Sequence, residues 1–202
     1  MTRTLYKLAA HLAALMPFAY YLAGAYWQWL GADPQEQILH GMGIWSFYFL
    51  LLSLAITPLR RWLGWHGLIH YRRMLGLYFA FYLLLHILVY LWLYLGWRWG
   101  EFGSELVKRP YLTLGIAAAL LTLPLVATST QWAQRKLKRR WKQLHKSVYL
   151  IVLLAWVHYF WQVKSDLNEP LLYLMIVCAL LGYRFWTKFH QKAAGLNKKS
   201  PL

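Results

Sequence analysis

The chain has 202 residues, 60% of them hydrophobic and 14% charged, with a formal net charge of +16. An apolar fraction this far above the roughly 45–50% of soluble domains excludes an ordinary water-soluble fold. It also moves the positive charge away from a nucleic-acid partner and onto the basic loops of a protein in a lipid bilayer.

A helix that crosses a bilayer needs about 17–25 mostly apolar residues. Six stretches meet that need, at about residues 8–30, 42–58, 73–96, 111–128, 146–163 and 170–187, and none contains an acidic residue. The reading is an all-α integral membrane protein, one six-helix bundle over residues 1–202. The first stretch resembles a signal peptide, with Arg3 and Lys7 ahead of it and Ala23-Gly24-Ala25 as a mock cleavage site. Its apolar run exceeds the usual 7–15 residues of a signal core, so it reads as an uncleaved helix. The second begins in HGMGIW (40–45), with His40 at its outer end. Between the fourth and fifth lies the strongest charge run, RKLKRRWKQLHK (Arg135 to Lys146). It reads as a loop on anionic headgroups. With Arg72 and Arg73 it also offers a cationic site for a phosphate, and flavin mononucleotide (FMN) would suit it. The sixth holds the single cysteine, Cys178, which reads as a small buried hydrophobe. No internal disulfide is available, and no CxxCH motif offers c-type haem attachment.

Basic residues set the topology. With the N-terminus in the cytoplasm, 18 of the 22 Lys and Arg fall on that side, leaving only Arg98, Lys108, Arg109 and Lys164 outside. Both termini are then cytoplasmic, and all six acids (Asp33, Glu36, Glu101, Glu105, Asp166, Glu169) lie at the outer ends.

Eight histidines occur, at 11, 40, 66, 70, 86, 145, 158 and 190. His86 and His158 are the deepest, about 20 Å and 18 Å into the third and fifth spans from the cytoplasmic end at helical rise. Two depth-matched imidazoles on different helices can clamp a haem iron axially. The alternative is that each satisfies a neighbouring hydroxyl or carbonyl. No acid lies inside a span, which argues against a zinc or iron-carboxylate site. His145, thirteen residues before His158, lies about 140° around an ideal helix from it, so the two cannot grip one haem. It suits a second haem, a surface cofactor or a plain interfacial position. His66 and His70 share one helical face in an HxxxH spacing, without the further histidine boxes of a di-iron site. His11 is expected to pack within the bundle, and His190 to be solvated.

The segments ITPLRRW (56–62), YRRMLGLY (71–78), LLH ending at His86, RPYLTLG (109–115), TSTQ (128–131) and RRWKQLHKSVYL…AWVHY (139–159) closely resemble the MsrQ family. These are haem-binding membrane subunits of periplasmic methionine sulfoxide reductase systems. The resemblance runs in order over essentially the whole chain. It implies a ferric reductase-like transmembrane fold in the bacterial inner membrane, haem b (one or two) and FMN. It also implies electron delivery to MsrP, a periplasmic molybdopterin reductase that repairs oxidised methionine. The ligand candidates it carries over are His86, His158 and His145. The wider superfamily often has two histidines on each of two helices, whereas here Arg72 stands fourteen residues before His86. No flavin-nicotinamide domain is attached, so electrons must come from the quinone pool or a separate flavin reductase. The expected role is an electron-transfer subunit, not the subunit that reduces the sulfoxide. The rivals are a stand-alone metalloreductase or quinol-linked cytochrome, and, in a different class, a haem-free transporter or structural membrane protein.

Overall fold

The computed structural model describes residues 2–163 and 166–193. Lys164, expected on the outer side, lies outside the described residues.

The described residues are helical almost throughout. In chain order they form α1 (Thr2–Trp27), α2 (Pro34–Leu63), α3 (Ile69–Val89), α4 (Trp99–Lys108), α5 (Tyr111–Ala127), α6 (Gln131–Leu144), α7 (Val148–Gln162) and α8 (Asn168–Ala193). Short 3₁₀ turns at His66–Leu68 and His145–Ser147 lead into α3 and α7, and a π-helical turn at Tyr90–Tyr94 ends α3. The breaks follow local chemistry. Gly64, at φ +68, closes α2 in the left-handed conformation that glycine takes at least cost. The hydroxyl of Thr130 accepts the Ala133 N–H and caps α6.

Four helical segments are long and apolar enough to cross a membrane: Thr4–Trp27, Pro34–Leu63, His66–Tyr94 and Asn168–His190. A fifth is added if α4 and α5, broken at Arg109–Pro110, count as one span. Six stretches were expected. The difference lies in the second half of the chain, where α5 has 17 residues and α7 only 15. Fifteen residues rise about 22 Å, short of a ~30 Å hydrocarbon core. Two further elements depart from the expectation. The basic stretch Arg135–Lys146 is mostly helix, not loop, with its backbone broken at Lys138 (φ 45, ψ −112). The short helix α4 occupies what reads as a loop. Cys178 is exposed on α8, not buried.

The chain forms two compact units, residues 1–50 with 74–108, and residues 51–73 with 109–202. The core of the first is aromatic: Phe49 stacks on the fully buried Tyr82 at 5.3 Å, and Phe81 meets Phe18 edge to face. Tyr82 donates its hydroxyl to the Ala14 carbonyl (2.7 Å) and accepts the Phe18 N–H (3.1 Å). It therefore joins the turn of α1 that contains Pro17. The Ser46 hydroxyl donates to the Phe79 carbonyl, tying α2 to α3. The second unit buries Leu54, Ile151, Val152 and Val177. Outward faces stay apolar, with Leu8, Leu12, Leu120, Leu123, Met175 and Phe185 exposed. Lipid satisfies such faces, so helix association rests on close packing and interhelical hydrogen bonds.

Candidate functional site: two glycine-backed histidines

His86 lies on α3, one turn before the π-helical Tyr90–Tyr94. Its Nδ1 is 2.9 Å from the Leu39 carbonyl of α2. A carbonyl only accepts, so Nδ1 carries the proton, and the ring's other lone pair belongs to Nε2. One turn further along α2 is Gly43. A Cβ there would lie 3.0 Å from Nδ1 and 3.1 Å from Cε1 of the imidazole. The glycine is what lets the ring lie against the helix backbone.

His158 on α7 has the same setting. Its Nδ1 is 2.8 Å from the Tyr111 carbonyl of α5, and a Cβ on Gly115 would meet Nδ1 and Cε1 at 2.9 Å. In both cases a carbonyl at one position and a glycine four residues later cradle one imidazole. Every member of the second set lies 72 positions after its counterpart: 39 to 111, 43 to 115, 86 to 158. The two cradles are a repeat, each in its own unit. Metal-ligating histidines characteristically give their second ring N–H to a carbonyl or carboxylate, which fixes tautomer and ring plane. In both imidazoles the carbonyl contact assigns the proton to Nδ1 and leaves Nε2 as the unprotonated ring nitrogen. In the first unit an apolar recess lined by Phe18, Tyr21, Ile38, Met42, Leu85 and Val89 adjoins this stretch of α3.

His145 is held differently. Its Nε2 is 3.0 Å from the Thr128 hydroxyl, and that hydroxyl donates to the Pro124 carbonyl at 2.6 Å. Nε2 is then the donor, the reverse of the other two rings. Trp141 stacks on the imidazole at 4.0 Å and donates its indole N–H to the Thr128 carbonyl. Burial pushes the His145 imidazole below the ordinary histidine range, and the Arg72 charge adds to this. Arg72 thus lies within electrostatic reach of His145, while Arg73 is exposed. The charge that acts on Arg72 is that of Arg184 on α8.

The remaining histidines show no shared site. His11 is exposed and hydrogen-bonds the Tyr78 hydroxyl at 2.8 Å. His66 and His70 are exposed, and His70 Nδ1 meets the Gly67 carbonyl. His40 is exposed at the start of α2, and His190 packs edge-on against Trp186. Among the described residues no group of three or more His, Cys, Asp or Glu converges on a point. The sequence reading singled out the two deep histidines but missed their glycines. The signal was present, since Gly43–His86 and Gly115–His158 share one separation of 43 residues.

Residues 42–156 match the family described as the ferric reductase like transmembrane component. The chain is 46% identical over 202 residues to the protein-methionine-sulfoxide reductase heme-binding subunit MsrQ of Xanthomonas oryzae pv. oryzae (strain MAFF 311018), covering 96% of this chain and 92% of that one. The same identity and coverage hold for the subunit of that name from Xanthomonas campestris pv. campestris (strain B100). The one from Azospira oryzae is 44% identical over 180 residues, covering 88% of this chain and 77% of its own. No solved structure matches significantly. The family match takes in Gly43, His86, Tyr111 and Gly115 and stops short of Leu39 and His158, and the chain belongs to the MsrQ family of ferric reductase-like multi-pass membrane proteins.

Proposed function

We propose that the protein is a b-type membrane cytochrome that passes electrons to a methionine sulfoxide reductase, with His86 and His158 as axial haem ligands. The observation that carries this reading is the repeated cradle. Two imidazoles have Nδ1–H committed to a backbone carbonyl and the ring backed by glycine. That preparation suits coordination through Nε2. A haem held by two imidazoles supplies a one-electron iron couple, tuned by its axial ligands and burial. Leu39 and Tyr111 orient the rings, Gly43 and Gly115 admit them, and the apolar lining keeps water away.

The finer reading follows the family. The protein sits in the bacterial inner membrane with both termini cytoplasmic, and six spans are reached if α5 and α7 each cross. The partner is the periplasmic reductase MsrP, and the donor is the quinone pool or a flavin reductase. FMN belongs to the same reading, its phosphate near Arg72 and Arg73, where the support is the positive charge. A second haem would draw on His145, and its hydrogen bond to Thr128 would then have to break.

The test is an absorption spectrum of the purified protein beside His86→Ala and His158→Ala. Wild type is expected to show a Soret band and a sharp reduced α-band, and each variant to lose or strongly perturb them. An unchanged spectrum in either variant would refute the ligand assignment.

A further inference from the structure

Arg184 lies on α8, only 9% exposed. It donates Nη2–H to the Leu54 carbonyl at 2.6 Å and Nη1–H to the Tyr149 hydroxyl at 2.9 Å. The Leu54 carbonyl is available because Pro58, four residues on in α2, has no N–H to give it. The Arg184 Nε–H is buried and meets no acceptor among the described residues. Its guanidinium also lies 5.2 Å from the Tyr149 ring centroid, with the Lys188 ammonium 5.9 Å from the same ring. Arg72 of α3 is near enough to feel the Arg184 charge. The Arg72 backbone is fastened by Ser53, whose hydroxyl donates to its carbonyl.

Two cations therefore face the Tyr149 ring with Arg72 near them, and among the described residues no carboxylate pairs with any of the three. The chain's six acids sit at residues 33–36, 101–105 and 166–169. Glu169 begins the helix that carries Arg184, fifteen residues and about 22 Å away at helical rise. It is occupied there by the Tyr159 hydroxyl. A buried guanidinium beside a like charge is unfavourable unless something neutralises it. The buried Nε–H is left with its hydrogen bond unmade, and a guanidinium N–H is the donor with which arginine binds oxyanions.

We propose that Arg184 and Arg72, with Lys188 at the rim, form a binding site for a phosphate group. This refines the Arg72–Arg73 assignment, replacing exposed Arg73 with buried Arg184. Two sources share the chemistry, the phosphate of FMN and the phosphodiester of an anionic phospholipid. The site stands apart from the haem reading, and the Soret band of the same samples keeps the two questions separate.

The experiment compares full-length wild type, Arg184→Gln and Arg72→Gln in maltoside micelles. Equilibrium dialysis measures FMN against riboflavin, which lacks the phosphate. If the flavin phosphate is the ligand, wild type prefers FMN by tenfold or more, about 1.4 kcal/mol, and both variants lose that preference. If a lipid phosphate is the ligand, phosphatidylglycerol raises the thermal midpoint of wild type more than a phosphate-free galactolipid does. Both variants then respond equally to the two lipids. A merely structural Arg184 would lower stability without moving either ratio. Should Arg184→Gln fail to fold, Arg72→Gln carries the test, because its side chain makes no hydrogen bond among the described residues. Wild type showing neither preference, or variants keeping the wild-type preference, overturns the proposal.

Discussion

The imidazoles at 86 and 158 are alike in chemistry and held alike, yet the cradles differ slightly in tightness. A Cβ at Gly115 would press on its ring at 2.9 Å, and one at Gly43 at 3.0 Å. Both spacings are tighter than ordinary van der Waals contact, so the ring or the helix backbone must shift. Gly115→Ala is expected to cost about 1–3 kcal/mol by overpacking and to turn His158 off the Tyr111 carbonyl. Haem-to-protein ratio and midpoint potential should both move, with Gly43→Ala showing the smaller change. Wild-type haem content and potential in Gly115→Ala would show that the glycine has no such role. Thr128→Val makes the opposite expectation for His145. It removes the hydroxyl that holds Nε2, so it should loosen the Trp141–His145 stack, read by near-ultraviolet circular dichroism, while the Soret band stays in place.

Between helices, single polar bonds carry disproportionate weight because apolar surface has no reason to leave lipid. The Arg184–Leu54 bond depends on Pro58, which deprives that carbonyl of its helical donor. Pro58→Ala restores a donor within α2. A double-mutant cycle with Arg184→Gln should therefore show coupling of about 1 kcal/mol, the arginine mattering less once the proline is gone. Strict additivity in unfolding measurements would break this link. Tyr82 makes a comparable contribution in the first unit. Tyr82→Phe deletes a buried hydroxyl that serves both Ala14 and Phe18, with an expected loss of about 1–2 kcal/mol. α6 has another logic. Its exposed Arg135, Lys136, Arg139, Arg140 and Lys142 suit an anionic lipid surface, while Ala133 is buried and Trp141 packs on His145.

For the molecule as a whole, charge is divided by helix end. In α8, Glu169 stands near the start and Arg184 and Lys188 near the finish; in α2, Glu36 opens the helix and Arg60 and Arg61 close it. The positive-inside rule converts that division into an orientation. In a Cys178→Ser background, a single cysteine at Gly103 of α4 should react with an impermeant maleimide in intact cells. One at Arg139 of α6 should react only after permeabilisation. The reverse pattern would turn the molecule over and place the acidic helix ends in the cytoplasm, away from any periplasmic reductase.

Membrane class and the family were legible in the linear chain. Apolar run length, residue type and motif order are one-dimensional quantities, and bilayer thickness converts them directly into helices. The pairings were not legible. His86 meets Leu39 and His158 meets Tyr111 across 47 residues each, and Arg184 meets Leu54 across 130. Such contacts depend on how each helix is rotated about its axis, and an almost uniformly apolar helix carries little periodicity to reveal it. Short α7 and helical α6 escaped for related reasons: an apolar window does not mark where α7 unwinds at Val163, and a run of cations looks alike in a loop or a helix. The folded chain placed a glycine and a carbonyl behind each deep imidazole, and brought Arg184 and Lys188 to one tyrosine ring with Arg72 near them.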